Sequence, residues 1–243
     1  MRLQPIVTTL ILLCCLGVPA LAAPPLVLNT DNTYPRSNPE GTGFQDLIIK
    51  EAFRRIGMEA RVVHLPSERA LVNANQGIDD GDFVRIAGIE KRYPNLIMVE
   101  EKICEFEFAA FSRHQGVTIT DWQSLKPYNV GIITGWKILE ANITESRSLT
   151  KVSTPEALFD LLLHDRADLV VFDRLQGNAL IKERGLSGVK ALSPLLAQRD
   201  MYLYLHKRHA GLVPKLAEAL RQMKQDGTHQ RLIDSVLKQG DSL

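Results

Sequence analysis

A chain of 243 residues, 45% hydrophobic and 23% charged, is long enough to bury a core without covalent staples. Its 29 Lys and Arg against 28 Asp and Glu are interspersed along the chain, which excludes the one-sided basic surface that a nucleic-acid partner needs. Of the three cysteines, Cys14 and Cys15 lie in an apolar leader and Cys104 stands alone, so the mature chain is expected to have no internal disulfide. The leader comes first in chain order. Arg2 is followed by an apolar run over residues 6–16, and Ala20-Leu21-Ala22 has the small-x-small pattern of a cleavage site. This predicts a secretory signal peptide over 1–22 rather than a spanning helix, since Gly17 and Pro19 interrupt the run and it falls short of about 20 residues. Neither leader cysteine follows the small residue that a lipoprotein box requires, so no lipid anchor is expected. Removing Arg2 leaves 28 basic against 28 acidic residues.

Beyond the leader, strands and helices alternate. Leu26-Val27-Leu28-Asn29 reads as a strand that runs into the polar turn Thr30-Asp31-Asn32-Thr33-Tyr34-Pro35. Phe44, Leu47, Ile48, Ala52 and Ile56 recur at helical spacing up to Gly57. A strand follows at Arg61-Val62-Val63-His64-Leu65, then a helix capped by Ser67 and stopped by Gly77. Short strands are expected around Phe83-Val84, at Leu96-Ile97-Met98-Val99 and from Phe106 to Phe111. Cys104, between Ile103 and Glu105, reads as a small buried side chain.

The second half repeats the pattern. A strand over 129–134 ends at Gly135, with a helix beginning at Trp136. Thr154-Pro155 opens the next helix, with a capping hydroxyl and proline at the first helical position. Leu169-Val170-Val171-Phe172 is a buried strand with Asp173 just past its end. A strand over 201–205 and two amphipathic helices, the first ended by Gly227, complete the chain. Strands separated by helices predict an α/β fold with mostly parallel sheet covered on both faces. Such sheets bind ligands beyond the carboxyl ends of their strands, a rule that selects Asp31, residues 134–137 and Asp173.

Four segments carry a resemblance. Thr30-Asp31-Asn32-Thr33-Tyr34-Pro35, Gly43-Phe44-Gln45-Asp46-Leu47, residues 80–92 ending in Glu90-Lys91-Arg92, and Met223-Lys224-Gln225-Asp226-Gly227-Thr228 together resemble family 3 of the extracellular solute-binding proteins, the periplasmic receptors of polar amino acid ABC transporters. The resemblance implies the periplasmic-binding-protein fold: two α/β lobes joined by two hinge strands, near residues 108–113 and 200–205. Lobe 1 would comprise 23–110 and 203–243, and lobe 2 would comprise 111–202. It also implies capture of a small polar ligand, an amino acid or a related compound, by hinge closure, and delivery to an inner-membrane permease. The expected protein is a monomer without cofactor.

The resemblance also proposes site residues, each with an ordinary alternative. A ligand carboxylate calls for an arginine fork. Arg92 stands at the family's arginine position but could be a plain surface residue; Arg85, after a strand, and Arg69, on a helix, are rivals. Where the family has small hydroxyl residues and glycines, this chain has Val84-Arg85-Ile86-Ala87. A ligand ammonium calls for a carboxylate, and Asp173 matches the family's aspartate, or else caps the helix that follows. Asp31 and Tyr34 match side-chain-contacting positions, or serve as ordinary turn residues. Glu68 replaces an aromatic stacker. Gly135-Trp136-Lys137 opens a helix that could seat an anion, with Trp136 covering a ring or packing at a lobe edge. These departures point to a ligand other than a common amino acid.

No catalytic constellation, phosphate loop or zinc motif is present in the sequence. The six histidines are scattered, and the close pair His206 and His209 has no third ligand. Transport is therefore weighed against a soluble sensor that docks on a membrane signalling partner, with an enzyme using Asp173 or Glu68 as a general acid or base the weakest reading.

Overall fold

The computed structural model describes residues 24–240. The signal peptide reading of 1–22, with Cys14 and Cys15, lies outside the described residues. In chain order the elements are β1 (Leu26–Thr30), α1 (Phe44–Arg55), β2 (Ala60–His64), α2 (Ser67–Gln76), β3 (Gly81–Arg85), β4 (Leu96–Met98) and β5 (Cys104–Ser112). Then come β6 (Asn129–Ile133), α3 (Lys137–Asn142), β7 (Ser148–Val152), α4 (Pro155–Leu163), β8 (Leu169–Asp173), α5 (Arg174–Arg184), β9 (Lys190–Ala191), β10 (Ala197–His206), α6 (Val213–Gln225) and α7 (Thr228–Gly240).

Local chemistry accounts for the boundaries. Thr154 Oγ1 accepts from the Ala157 N–H at 3.2 Å, with Pro155 at the first helical position, so α4 starts where its orphan donors are met. Gly77, at φ 71°, closes α2. All five residues of β8 are buried, as expected for an apolar strand covered on both faces. The capping role read for Ser67 is corrected: Pro66 holds the cap position, and the Ser67 hydroxyl instead accepts from Arg85. The strand β7 was absent from the sequence reading. Its residues Ser-Leu-Thr-Lys-Val lie at the sheet edge with none buried, so no apolar run announces it.

The strands follow the order β2-β1-β3-β10-β5-β8-β6-β7, with β4 added to β10 and β9 to β5. Two halves are evident. In the first, β1 is parallel to β2 and β3; in the second, β6 is parallel to β7 and β8. The strand β10 belongs to both. Ala197 to Met201 pair with β5, and Tyr202 to His206 pair with β3 and β4. The molecule is thus an α/β protein of two lobes linked by the adjacent strands β5 and β10. Leu28, Ile48 and Phe53 fill the first half, and Phe111, Phe159 and Phe172 the second, within one continuous apolar core.

Candidate functional site

The carboxyl ends of β1 and β3 face the turn after β6, and a cleft lies between them. Asp31, Val84, Arg85, Ile86 and Ile89 line it from the first half. Gly135, Trp136, Lys137 and Ile138 line it from the second, and Phe106, Phe108 and Met201 lie on the connecting strands. The cavity left is about 30 Å³, room for about two water molecules. The cleft is closed on itself.

Three contacts close it. The Trp136 indole N–H donates to Asp31 Oδ2 at 2.6 Å. Lys137 donates to Glu68 and, at 3.0 Å, to Glu140. Gly135, at φ 91°, comes so near α2 that a Cβ built there would stand 2.5 Å from the Glu68 nitrogen. Only glycine combines that backbone angle with that approach. Trp136 stacks on Phe172 with centroids 4.8 Å apart and planes 16° apart, which fixes the indole against the second half.

Arg85 reaches the cleft by an unusual backbone. Tyr202 pairs with Arg85 but Leu203 with Phe83, leaving Val84 as the extra residue of a β-bulge. Its φ is 68°, a left-handed conformation that a β-branched residue adopts only at a cost of about 1–3 kcal/mol. The bulge delivers Arg85 into a fixed set of acceptors: Nε to Asp82 Oδ1 at 2.8 Å, Nη2 to Asp82 Oδ2 at 3.0 Å, and Nη1 to Ser67 Oγ at 2.6 Å. Asp31 Oδ1 is 3.7 Å from Nη1. Burial pushes the Asp82 carboxyl up to about 7, while the guanidinium of Arg85 pulls it down.

Burial pushes Glu68 upward, yet hydrogen bonds from Lys137 and Tyr93 outweigh it and hold the carboxyl below its ordinary value. Burial pulls Lys137 down, yet Glu68 and Glu140 leave it raised. The anion seat read at the helix after Gly135 is corrected by these partners. The helix α3 has only six residues, Glu140 Oε1 accepts from the Gly135 N–H at 3.2 Å, and Lys137 lies between two carboxylates.

An uncharacterized protein of Shewanella oneidensis is 32% identical to this chain over 194 residues, covering 76% of this chain and 73% of its own length. The chain belongs to the family of that protein. No family model matches it. Among solved structures, a histidine kinase sensor domain with similarity to periplasmic binding proteins superposes with a TM-score of 0.77 at 17% identity, over 88% of this chain and 96% of its own. A mutant of ArgBP from T. maritima gives 0.75 at 18% identity, over 88% and 95%. The arginine-, lysine-, histidine-binding protein ArtJ from Geobacillus stearothermophilus gives 0.74 at 16% identity, over 87% and 94%. The chain thus has the periplasmic-binding-protein fold, and the resemblance read from the sequence is met at the level of the fold.

Of the sequence-derived set, Asp31, Arg85, Trp136 and Lys137 line the cleft, and Glu68 meets Lys137 beside it. The structure does not bring the others to the cleft lining. Arg92 is exposed at the end of a turn of 3-10 helix, and Arg69 is exposed on α2. Tyr34 is 40% exposed and lines a separate groove with Leu175 and Asn178. Asp173 is fully buried: Arg36 Nε and Nη2 both donate to it at 2.9 Å, and its Oδ1 caps α5 through the Gln176 N–H at 3.1 Å. With its oxygens so engaged, Asp173 offers no face to a ligand ammonium.

Sequence reasoning missed Arg36 and Gln176. The Arg36 guanidinium lies 4.1 Å over the Phe106 ring, and Gln176 Oε1 accepts from the Thr33 N–H at 2.8 Å. Both join the turn after β1 to the start of α5. The rule that selected Asp31, a polar residue beyond a strand's carboxyl end, would also have selected Arg36. Cys104 is buried and its thiol is pushed up to about 11 by burial, in keeping with a packing role.

Proposed function

We propose that the chain is a periplasmic solute-binding protein. It captures a small polar molecule, an amino acid or a related compound, between its lobes for delivery to an inner-membrane ABC permease, and it acts by binding rather than turnover. The observation that carries this reading is the cleft, where polar side chains of both lobes, Asp31 with Trp136 and Glu68 with Lys137, meet across the space that a ligand would open. Lobes of 23–110 with 203–243 and of 111–202 are proposed, with β10 passing from one half to the other at Met201–Tyr202; the chain is proposed to be cleaved after residue 22 and to act in the periplasm as a monomer. Asp31, Glu68, Arg85, Trp136 and Lys137 are the residues proposed to meet the ligand.

The test is thermal unfolding of the purified protein against amino acids, amines, nucleobases and small organic acids. A ligand that binds only the folded state raises the midpoint with its occupancy, so a saturable rise with one chemical class is expected. A flat response across the panel and across crude periplasmic extract would defeat the reading. A sensor role has its own support, the likeness to a histidine kinase sensor domain. Deleting the gene separates the two: a transport protein loses uptake of the identified ligand, whereas a sensor loses the response to it and keeps uptake.

A further inference from the structure

The charges around the cleft are not evenly matched. Arg85 gives two donors to Asp82, and it gives others to the hydroxyl and, at 3.3 Å, the carbonyl of Ser67. Lys137 lies against Glu68 and Glu140, and Glu140 is shared with Lys151 at 3.4 Å. Asp31, within ion-pair distance of Arg85, is the cleft carboxylate that accepts no hydrogen bond from a cation. Its Oδ2 takes the neutral indole N–H, and its Oδ1 has Arg85 at 3.7 Å, beyond hydrogen-bond reach. The side chain of Asp31 is only 10% exposed. His64 adds no cation nearby, because burial holds it below its ordinary value. Asp79, near Asp82, adds to the negative sign.

Around Asp31 the walls are apolar: Val84, Ile86, Ile89, Phe106, Phe108 and Ile138. A ligand carboxylate entering here would need a guanidinium fork, and the fork of Arg85 is held by Asp82. It would also stand beside Asp31 and be repelled. An ammonium group meets the opposite situation, with a carboxylate oxygen that accepts no hydrogen bond among the described residues and aromatic rings nearby.

The geometry points to a small organic cation as the ligand: an ammonium group on an apolar aliphatic or aromatic body, carrying no carboxylate. This rests on the cleft being the ligand site of a binding protein, and it narrows the ligand to one charge class.

Two matched sets of compounds test it. Phenethylamine, hydrocinnamate and phenylalanine share one body; isopentylamine, isocaproate and leucine share another. Each is titrated into the purified protein by calorimetry, with the unfolding midpoint followed in parallel. At least one amine is expected to bind saturably, at least tenfold tighter than its carboxylate and amino acid counterparts. Asp31→Asn is expected to weaken that amine at least tenfold while the ligand-free midpoint stays within a few degrees. Preference for a carboxylate or an amino acid would overturn the cation and leave the binding-protein reading standing. The same holds if all six are inert while a sugar, nucleobase or other solute binds. If no solute binds, both fall. Should Asp31→Asn fail to fold, the ranking of the six compounds by the unaltered protein still decides.

Discussion

Two contacts between the lobes have opposite character. Behind the cleft, Arg36 and Asp173 form a pair with side chains 5% and 0% exposed, and Thr33, Asn32 and Gln176 complete the contact. At the cleft, Glu68 is 42% exposed, Lys137 adjusts between two carboxylates, and Asp31 keeps one oxygen without a hydrogen bond. The rear contact is buried and saturated, so it has nothing to exchange. The front contact is partly wet and incompletely matched, so a ligand can replace its members. The closure proposed for this chain uses both: a contact that holds while the lobes move and one that gives way.

The largest expected effect is at the rear. Arg36→Ala leaves Asp173 as an uncompensated buried charge, and chemical denaturation should show a loss of about 3–5 kcal/mol. A loss no greater than that of a surface pair would erase the distinction between the two contacts. Gly135→Ala comes next. The clash with the Glu68 nitrogen holds the front apart, so small-angle scattering should give a larger radius of gyration. Ligand affinity should fall about tenfold as the closed population shrinks. Equal scattering and affinity would mean that the front does not close on its ligand as drawn.

The smallest effect is at the partly exposed pair. Glu68→Gln should cost less than about 1 kcal/mol, and it supplies the control for a pH experiment. Glu68 is depressed in the folded state, so its contribution is present above the ordinary carboxylate value and is lost as pH falls through the lowered one. Lys137 is raised, so its contribution is full below the ordinary lysine value and is lost only as pH rises through the raised one. Closure by this pair should therefore hold across neutral pH and loosen in acid, below roughly pH 4. Scattering should show that opening in the unaltered protein and a smaller change in Glu68→Gln.

The fold was legible where local chemistry decides it. The buried run at β8, the Thr154-Pro155 start of α4 and the stop of α2 at Gly77 all follow from neighbours in sequence. Three of the five site residues were legible for the same reason, since Asp31, Trp136 and Lys137 lie beyond strand ends. What stayed hidden depends on partners far apart in the chain. Nothing local to Asp173 says that Arg36 will occupy it, so a helix cap that also anchors the other lobe reads as a ligand contact. Nothing local to Arg85 says that a bulge at Val84 will turn it into the cleft, so Arg92, placed by counting along the segment, stood ahead of it.

The strand β10 also has a consequence in time. β3 lacks one of its two neighbours until residues 202–205 have been made, and α1 packs on α6 and α7, which come later still. At usual rates of synthesis the wait from the end of β3 to the end of β10 is on the order of ten seconds. Through that interval the first sheet lacks the strand that borders β3 on one side.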